Sequence, residues 1–342
     1  MLPNDVRPHA TRIRELLYGH LVSRAICVVA QLGVPDVLAA KPLPVEEIAT
    51  RVGAHAPSLR RLVRSLTCFG IFTEPEPGLV ALTPLGATLR DDVPATARPT
   101  ALLLAGEIGA TWAELADTIR TGEPSFDLIH GGSLFDYLER KPEVRTTFDR
   151  SQAEGLALEL DELISRVDFT TPKSIVDVGG SDGAMLLRLL EDAAPQARGT
   201  VFDLPGTAAL AWQRIAEHGL SERCEVRSGD FFEFVPDDGD LYLVSHILHD
   251  WNDTDAVRLL RTCRAHMPST AQLMVVDLLL DGGQTPALMD LYMLSLFGGD
   301  GGRERTAEEF LHLLERAGFT GAVVRRLPSG MGVITASPAG SP

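Results

Sequence analysis

Residues 174–183 read Ser-Ile-Val-Asp-Val-Gly-Gly-Ser-Asp-Gly, and no other stretch restricts the fold so tightly. β-Branched residues on both sides of Asp177 predict a short buried strand over Ile175 to Val178. Three glycines follow within five positions, and Ala184 to Leu190 then reads as a helix. Strand, glycine turn and helix N-terminus make a place where a ligand can lie against bare backbone. Gly179, Gly180 and Gly183 carry no Cβ to hold it off, and Asp177 near the strand end is expected to point into the same crevice. The spacing departs from G-x-G-x-x-G and no Gly-Lys-Ser/Thr follows, so neither a dinucleotide fingerprint nor a P-loop is met. A tight βα turn with no ligand would read the same on this stretch alone. Twenty residues past Gly183, however, Thr200-Val201-Phe202 leads to Asp203. An acid at the tip of a second strand is placed to accept hydrogen bonds from ribose hydroxyls.

From Thr171 onward strands and helices alternate. Strands are predicted at 174–179, 200–203, 224–228, 240–245 and 272–279, with closing strands near 319–326 and 331–336. Helices are predicted at 184–193, 206–218, 254–267, 287–297 and 306–317. That rhythm implies an α/β, doubly wound sheet with helices on both faces. Ligands bind such sheets beyond the carboxyl ends of the strands. Asp177, Asp203, Asp230 and Ser245 fall at or near four such ends.

The first hundred residues have another character. Arg12 to Leu32 predicts one long helix, stopped near Gly33-Val34-Pro35. Its apolar residues Leu16, Leu17, Leu21, Ile26, Val28, Val29 and Leu32 nearly surround it, which predicts deep burial, either as a core helix or between subunits. Helices starting at Pro44 and Ala56 form a helix-turn-helix. Ile71 to Thr73 and Leu79 to Leu82 then pair around Pro75-Glu76-Pro77-Gly78, a winged-helix pattern. Arg60, Arg61 and Arg64 lie where a recognition helix would enter a DNA groove. Glu74 and Glu76 on the wing would repel phosphates, so a scaffold or dimerisation role fits better. Residues 101–166 read as mainly helical, with an interruption from Gly122 to Leu134. The expected domains are 1–100, a helical linker 101–170 contributing to a substrate pocket, and 171–342.

The net charge of -16 is unevenly spread. Residues 1–100 carry eleven Lys/Arg against nine Asp/Glu, and the remainder twenty against thirty-eight. An acidic body repels nucleic acid. Cys27, Cys68, Cys224 and Cys263 form no CxxC pair, so neither a zinc site nor a disulfide framework follows, and a reducing cytoplasm is expected. Met1 to Arg14 is polar. The longest apolar run near it, Ala25 to Val34, falls far short of the roughly 20 residues a membrane span needs.

After the fourth strand comes Ser245-His246-Ile247-Leu248-His249-Asp250-Trp251-Asn252-Asp253, with two histidines at the ligand edge of the sheet. Val275-Val276-Asp277 lies in the fifth strand, and Gly301-Gly302-Arg303-Glu304-Arg305-Thr306 in a later loop. A histidine with a carboxylate on either side is a general-base arrangement. No further acid–histidine cluster has metal-ligand spacing, so no metal is expected.

These segments, with Phe-Asp-Leu-Pro and Gly-Asp-Phe-Phe, occur in one order along the chain. In that order the sequence resembles the S-adenosylmethionine-dependent small-molecule O-methyltransferases, both the plant caffeic acid and flavonoid enzymes and the bacterial antibiotic-tailoring group. The resemblance spans nearly the whole chain. It implies a Rossmann-like methyltransferase sheet behind an N-terminal, mostly helical winged-helix-like dimerisation domain, and hence a homodimer that binds neither nucleic acid nor membrane.

By matching position, Gly179, Gly180 and Gly183 would pass under the methionine part of S-adenosyl-L-methionine. Asp203 and Leu204 would hold the ribose and adenosine. Asp230, Phe231 and Trp251 would flank the adenine, and Ser245 would lie near the amino-acid end. His249 would be the base, with Asp277 and Glu304 beside it, and His246 the less favoured base. Ser181 stands where a third glycine is frequent. Asp277 stands where the plant enzymes often have glutamate, so its reach to His249 is the point to check. The acceptor implied is a hydroxyl, phenolic in kind, on a small aromatic or polyketide-type natural product. Phe126, Phe135, Gln152, Met289, Met293 and Phe297 are pocket candidates by position alone. The rival readings are a cofactor-binding enzyme of the same scaffold that hydroxylates, decarboxylates or catalyses a pericyclic step, and a winged-helix DNA-binding regulator.

Overall fold

The computed structural model describes residues 6–339. The polar start read over Met1 to Arg14 therefore lies partly outside the described residues. Two compact units are present, Met1–Ala113 with Phe135–Gly155, and Glu114–Leu134 with Leu156–Pro342. The stretch expected as a linker, 101–170, is divided between them.

The first unit opens with helix α1 (Val6–Gln31) and the short α2 (Val34–Val37), then β1 (Leu43–Pro44), α3 (Val45–Val52) and α4 (Ala56–Thr67). The hairpin β2 (Phe72–Glu76) and β3 (Leu79–Leu82) follows, then α5 (Pro84–Ala87), α6 (Arg98–Ala105) and α7 (Glu107–Thr111). The three strands pair in the order β1-β3-β2. β2 runs through Pro75, which the sequence placed in the turn. As an edge strand with a register break between Thr73 and Glu76, it has no ladder bond for a proline to break. Leu43, Ile48, Leu59, Val63, Leu66 and Phe72 form the core here with Val29 and Val34. On α4, Arg60 is ion-paired with Glu46.

Within one chain, helix α1 is buried only toward its C-terminal end, so of the two expected routes to burial the core-helix one is not met. Cys27, Val29 and Ala30 are buried, but Leu16, Leu17 and Leu21 are 57%, 68% and 61% exposed. Among the described residues, nothing covers the helix between Thr11 and Leu21.

Helices α8 (Leu115–Thr121) and α9 (Ser125–His130) belong to the second unit. α9 occupies the stretch read as an interruption. It is bracketed by Gly122 and Gly131, whose left-handed φ angles of 81° and 72° end α8 and α9. α10 (Leu134–Arg140) and the long α11 (Pro142–Arg166) come next.

The alternating region follows as β4 (Ser174–Val178), α12 (Ala184–Asp192), β5 (Arg198–Asp203), α13 (Pro205–Glu217), β6 (Cys224–Ser228) and β7 (Leu241–Ser245). It continues with α14 (Asp253–His266), β8 (Gln272–Leu278), α15 (Gln284–Phe297), α16 (Ala307–Ala317), β9 (Phe319–Arg326) and β10 (Met331–Pro338). The seven strands lie in the order β6-β5-β4-β7-β8-β10-β9. β10 runs antiparallel to both neighbours, while the β4 to β8 pairs are parallel. Leu160 and Leu163 of α11 pack on one face with α12 and α13. α14 and α16 cover the other. Strand order reverses between β4 and β7, which opens a crevice beyond their carboxyl ends.

Candidate active site

The turn after β4 is shaped by contacts within the chain. Gly179 and Gly183 have φ of 75° and 79°, a region that L side chains avoid. A Cβ on Gly179 would sit 2.6 Å from the Ile247 side chain, and one on Gly180 2.7 Å from the Asp177 carboxyl. Asp177 does not project into the crevice as expected. It is 2% exposed beneath Gly180, and its Oδ2 has no hydrogen-bond partner. Burial, reinforced by the charges of Asp203 and Asp182, pushes this carboxyl up to about 7.

Asp203 sits at the tip of β5. Its Oδ2 accepts from the Ser181 N–H at 2.9 Å and its Oδ1 from the Leu204 N–H at 2.6 Å. Ser181 adopts a φ of 52°, the conformation for which glycine is the usual choice. Each Asp203 oxygen keeps lone-pair capacity for a second donor. Leu204 beside it is exposed. Asp230 accepts from the Phe232 N–H at 2.8 Å. Phe231 and Trp251 stand edge to face at 6.0 Å, and Phe232 meets Trp251 at 4.7 Å. Phe232, which the sequence reading did not single out, thus joins the aromatic wall.

His249 lies in a single 3₁₀ turn, Leu248–Asp250, between β7 and α14. Its Nδ1 is 3.0 Å from Asp277 Oδ1 and 3.5 Å from Glu304 Oε1, lying between both carboxylates without the alignment of a hydrogen bond to either. The shorter aspartate therefore reaches the ring, and approaches it more closely than the glutamate. Asp277 is fully buried and Glu304 2% exposed. Burial works against a charge on His249, but Asp277 and Glu304 outweigh it and hold the imidazole well above its ordinary proton affinity. Burial likewise opposes ionisation of Asp277, yet His249 prevails and its carboxyl falls below the usual range. For Glu304 burial prevails and the shift is upward. One side-chain N or O atom of each of the three lies within 4.8 Å of the others.

Two partners escaped the sequence reading. Arg305 is completely buried. It donates to the Leu248 and Trp251 carbonyls at 2.6 Å each, and its Nε donates to Asp253 at 3.0 Å. It therefore pins both ends of the turn carrying His249. Glu159 of α11 approaches His246, its Oε2 2.8 Å from Nε2. The other His246 ring nitrogen, Nδ1, lies 3.1 Å from Ser245 Oγ.

The pocket candidates are scattered. Phe126, Met289, Met293 and Phe297 lie in the second unit, and Phe135 and Gln152 in the first. Phe126 is fully buried, its ring 4.4 Å from that of His130, and Met293 is 7% exposed. Phe135 and Gln152 are exposed.

The reversed strand order and the acid at the second strand's tip define a class, the α/β proteins that take a nucleoside-bearing cofactor. Residues 112–320 match the family model of the O-methyltransferase domain, and residues 14–92 that of the O-methyltransferase dimerisation domain. The chain belongs to the O-methyltransferase family, and is an S-adenosylmethionine-dependent enzyme of it. It is 51% identical to O-methyltransferase SfmM3 of Streptomyces lavendulae, over 95% of this chain and 99% of that one. The mitomycin 7-O-methyltransferase MmcR superposes with a TM-score of 0.85 at 33% identity, over 98% of this chain and all of the other. The neocarzinostatin O-methyltransferase NcsB1, solved with S-adenosylmethionine and 2-hydroxy-5-methyl naphthoic acid, gives 0.76 at 34%, over 93% and 96%. Among the described residues no helix is long and apolar enough to cross a membrane.

Proposed function

We propose that the chain methylates a phenolic hydroxyl of a small aromatic natural product, with His249 as the general base. The carrying observation is the placement of its Nδ1 between two buried carboxylates. With Nδ1 turned toward these carboxylates, Nε2, 3.6 Å from Asp250 Oδ1, is the ring nitrogen that receives the proton. A phenol with a pKa near about 10 is a weak nucleophile at neutral pH until that proton is drawn off. Asp277 orients the ring and stabilises its protonated form, and Glu304 supports it from the other side.

The crevice fits S-adenosylmethionine. Asp203 retains acceptor capacity at the strand tip, where a ribose presents two hydroxyls. Phe231 and Trp251 offer half-buried aromatic surface for an adenine, beside Asp230, and Leu204 lies next to the ribose end. Gly179, Gly180, Gly183 and Ser245 border the amino-acid end, with Asp177 beneath. When bound, the cofactor supplies an electrophilic methyl group on a sulfonium. The chain holds the acceptor oxygen in line with it, and that alignment accounts for much of the acceleration. Phe126, Met289, Met293 and Phe297, all of the second unit, are proposed for the acceptor pocket.

The enzyme works as a cytoplasmic homodimer in this reading, supported by the dimerisation-domain match and the uncovered leucines of α1. The neocarzinostatin relative, solved with 2-hydroxy-5-methyl naphthoic acid, supports an aromatic acceptor. His249→Ala should lose about 10²–10⁴-fold in turnover while binding S-adenosylhomocysteine as before in calorimetry. Turnover at the wild-type rate would remove the base assignment. Release of S-adenosylhomocysteine with each acceptor consumed separates methyl transfer from the non-methylating reactions of the same scaffold.

A further inference from the structure

His246 is held by more contacts than a bystander needs. Its backbone sits at φ 54°, a conformation that a residue with a Cβ adopts only when its surroundings impose it. Its N–H donates to the Val276 carbonyl at 2.9 Å. Glu159 lies against one ring nitrogen and Ser245 Oγ against the other, at 2.8 and 3.1 Å. A serine oxygen accepts as readily as it donates, so both ring nitrogens can carry protons and remain satisfied. The ring stands edge to face with His249, their centres 5.7 Å apart.

We propose that His246, gripped by Glu159, is a fixed imidazolium opposite His249 that keeps the His249 ring free to accept a proton. The proposal rests on His249 being the base. His246 touches no reacting atom and is a positioning residue acting through His249. The need for it follows from the site itself. A base wedged between two buried carboxylates holds its own proton more firmly than a free imidazole does. A cation close by, in a poorly solvated setting, offsets part of that grip.

Glu159 from α11, Ser245 from β7 and His249 from the turn lie against His246, and the charges of Asp277 from β8, Asp250 from the turn and Glu304 from the loop before α16 also act on it. The remaining wall is apolar, formed by Leu156, Leu160, Met185 and Met331. Burial disfavours charge on His246, but Glu159 outweighs it and raises the ring above its ordinary value.

The test compares wild type, His246→Gln and Glu159→Gln. The His249 ring is titrated by NMR on protein with ¹³C-labelled histidine, its signal assigned by its loss in His249→Gln. The pH profile of kcat is measured in parallel with a phenolic acceptor. His246→Gln removes the cation and leaves Glu159 uncompensated, so the His249 midpoint and the acid limb of kcat should rise by on the order of one pH unit. Glu159→Gln abolishes both charges and should shift them the same way by less. The two effects in that order support the proposal. An unmoved midpoint in a folded His246→Gln protein overturns it, as does weaker S-adenosylhomocysteine binding with the midpoint unmoved. Should His246→Gln not fold, the Glu159→Gln titration decides alone. If instead the methyltransferase reading is at fault, wild type shows no turnover while the NMR shifts persist.

Discussion

A carboxyl group sealed under Gly180 destabilises the fold at neutral pH. Asp177 titrates near 7 when folded, because of burial first and the Asp203 and Asp182 charges second, against about 3.9 when unfolded. The folded state holds that proton more tightly, so stability is full below about pH 4 and declines as pH rises through 7. Asp177→Asn should remove the decline and stabilise the protein at pH 8 by on the order of 1–3 kcal/mol. Thermal denaturation at pH 5 and pH 8 checks this, and a variant weaker at both would contradict it. Other residues were legible to different degrees. The glycines stood out as a motif, yet part of their necessity lies in Ile247, which only the folded chain brings against Gly179. His249, Asp277 and Glu304 could be grouped because each falls at a strand end or the loop beside it. Glu159 could not, since a glutamate inside a helix ordinarily faces water.

The loop before α16 and the turn before α14 behave as one clamp. Arg305 spans the Leu248 and Trp251 carbonyls, and a Cβ on Gly302 would lie 2.4 Å from the His249 carbonyl oxygen. Beyond the clamp, Asn252 caps α14, and a Thr306–Glu309 capping box starts α16. Arg305→Met would leave the Leu248 and Trp251 carbonyls without their side-chain donor, costing about 2–4 kcal/mol. Urea unfolding measures it, and a loss below about 1 kcal/mol would mean the clamp is dispensable. Strand and helix alternation after residue 171 was readable because buried parallel strands are short and apolar. α9 was not, because a single turn between two glycines carries too little periodicity. Nor was the role of Arg305, because a lone arginine in a loop gives no sign that it is buried.

For the molecule as a whole, the uncovered apolar residues of α1 set the state of association. Leu17, at 68% exposure, heads a group with Ile13, Leu16, Tyr18 and Leu21. A patch of that kind calls for a protein partner, and the dimerisation-domain match makes a second copy the natural one. Leu17→Glu should turn a dimer into a monomer in sedimentation equilibrium at micromolar concentration. A wild-type protein already monomeric there would refute the dimer. The central sheet has a different dependence. β10 lies between β8 and β9, antiparallel to both. On a ribosome, β8 keeps one bare flank until residues 331–338 have emerged, so the sheet cannot be completed before them. A chain cut before Met331 should therefore lose cooperative unfolding of the whole catalytic half, not only of its last hairpin.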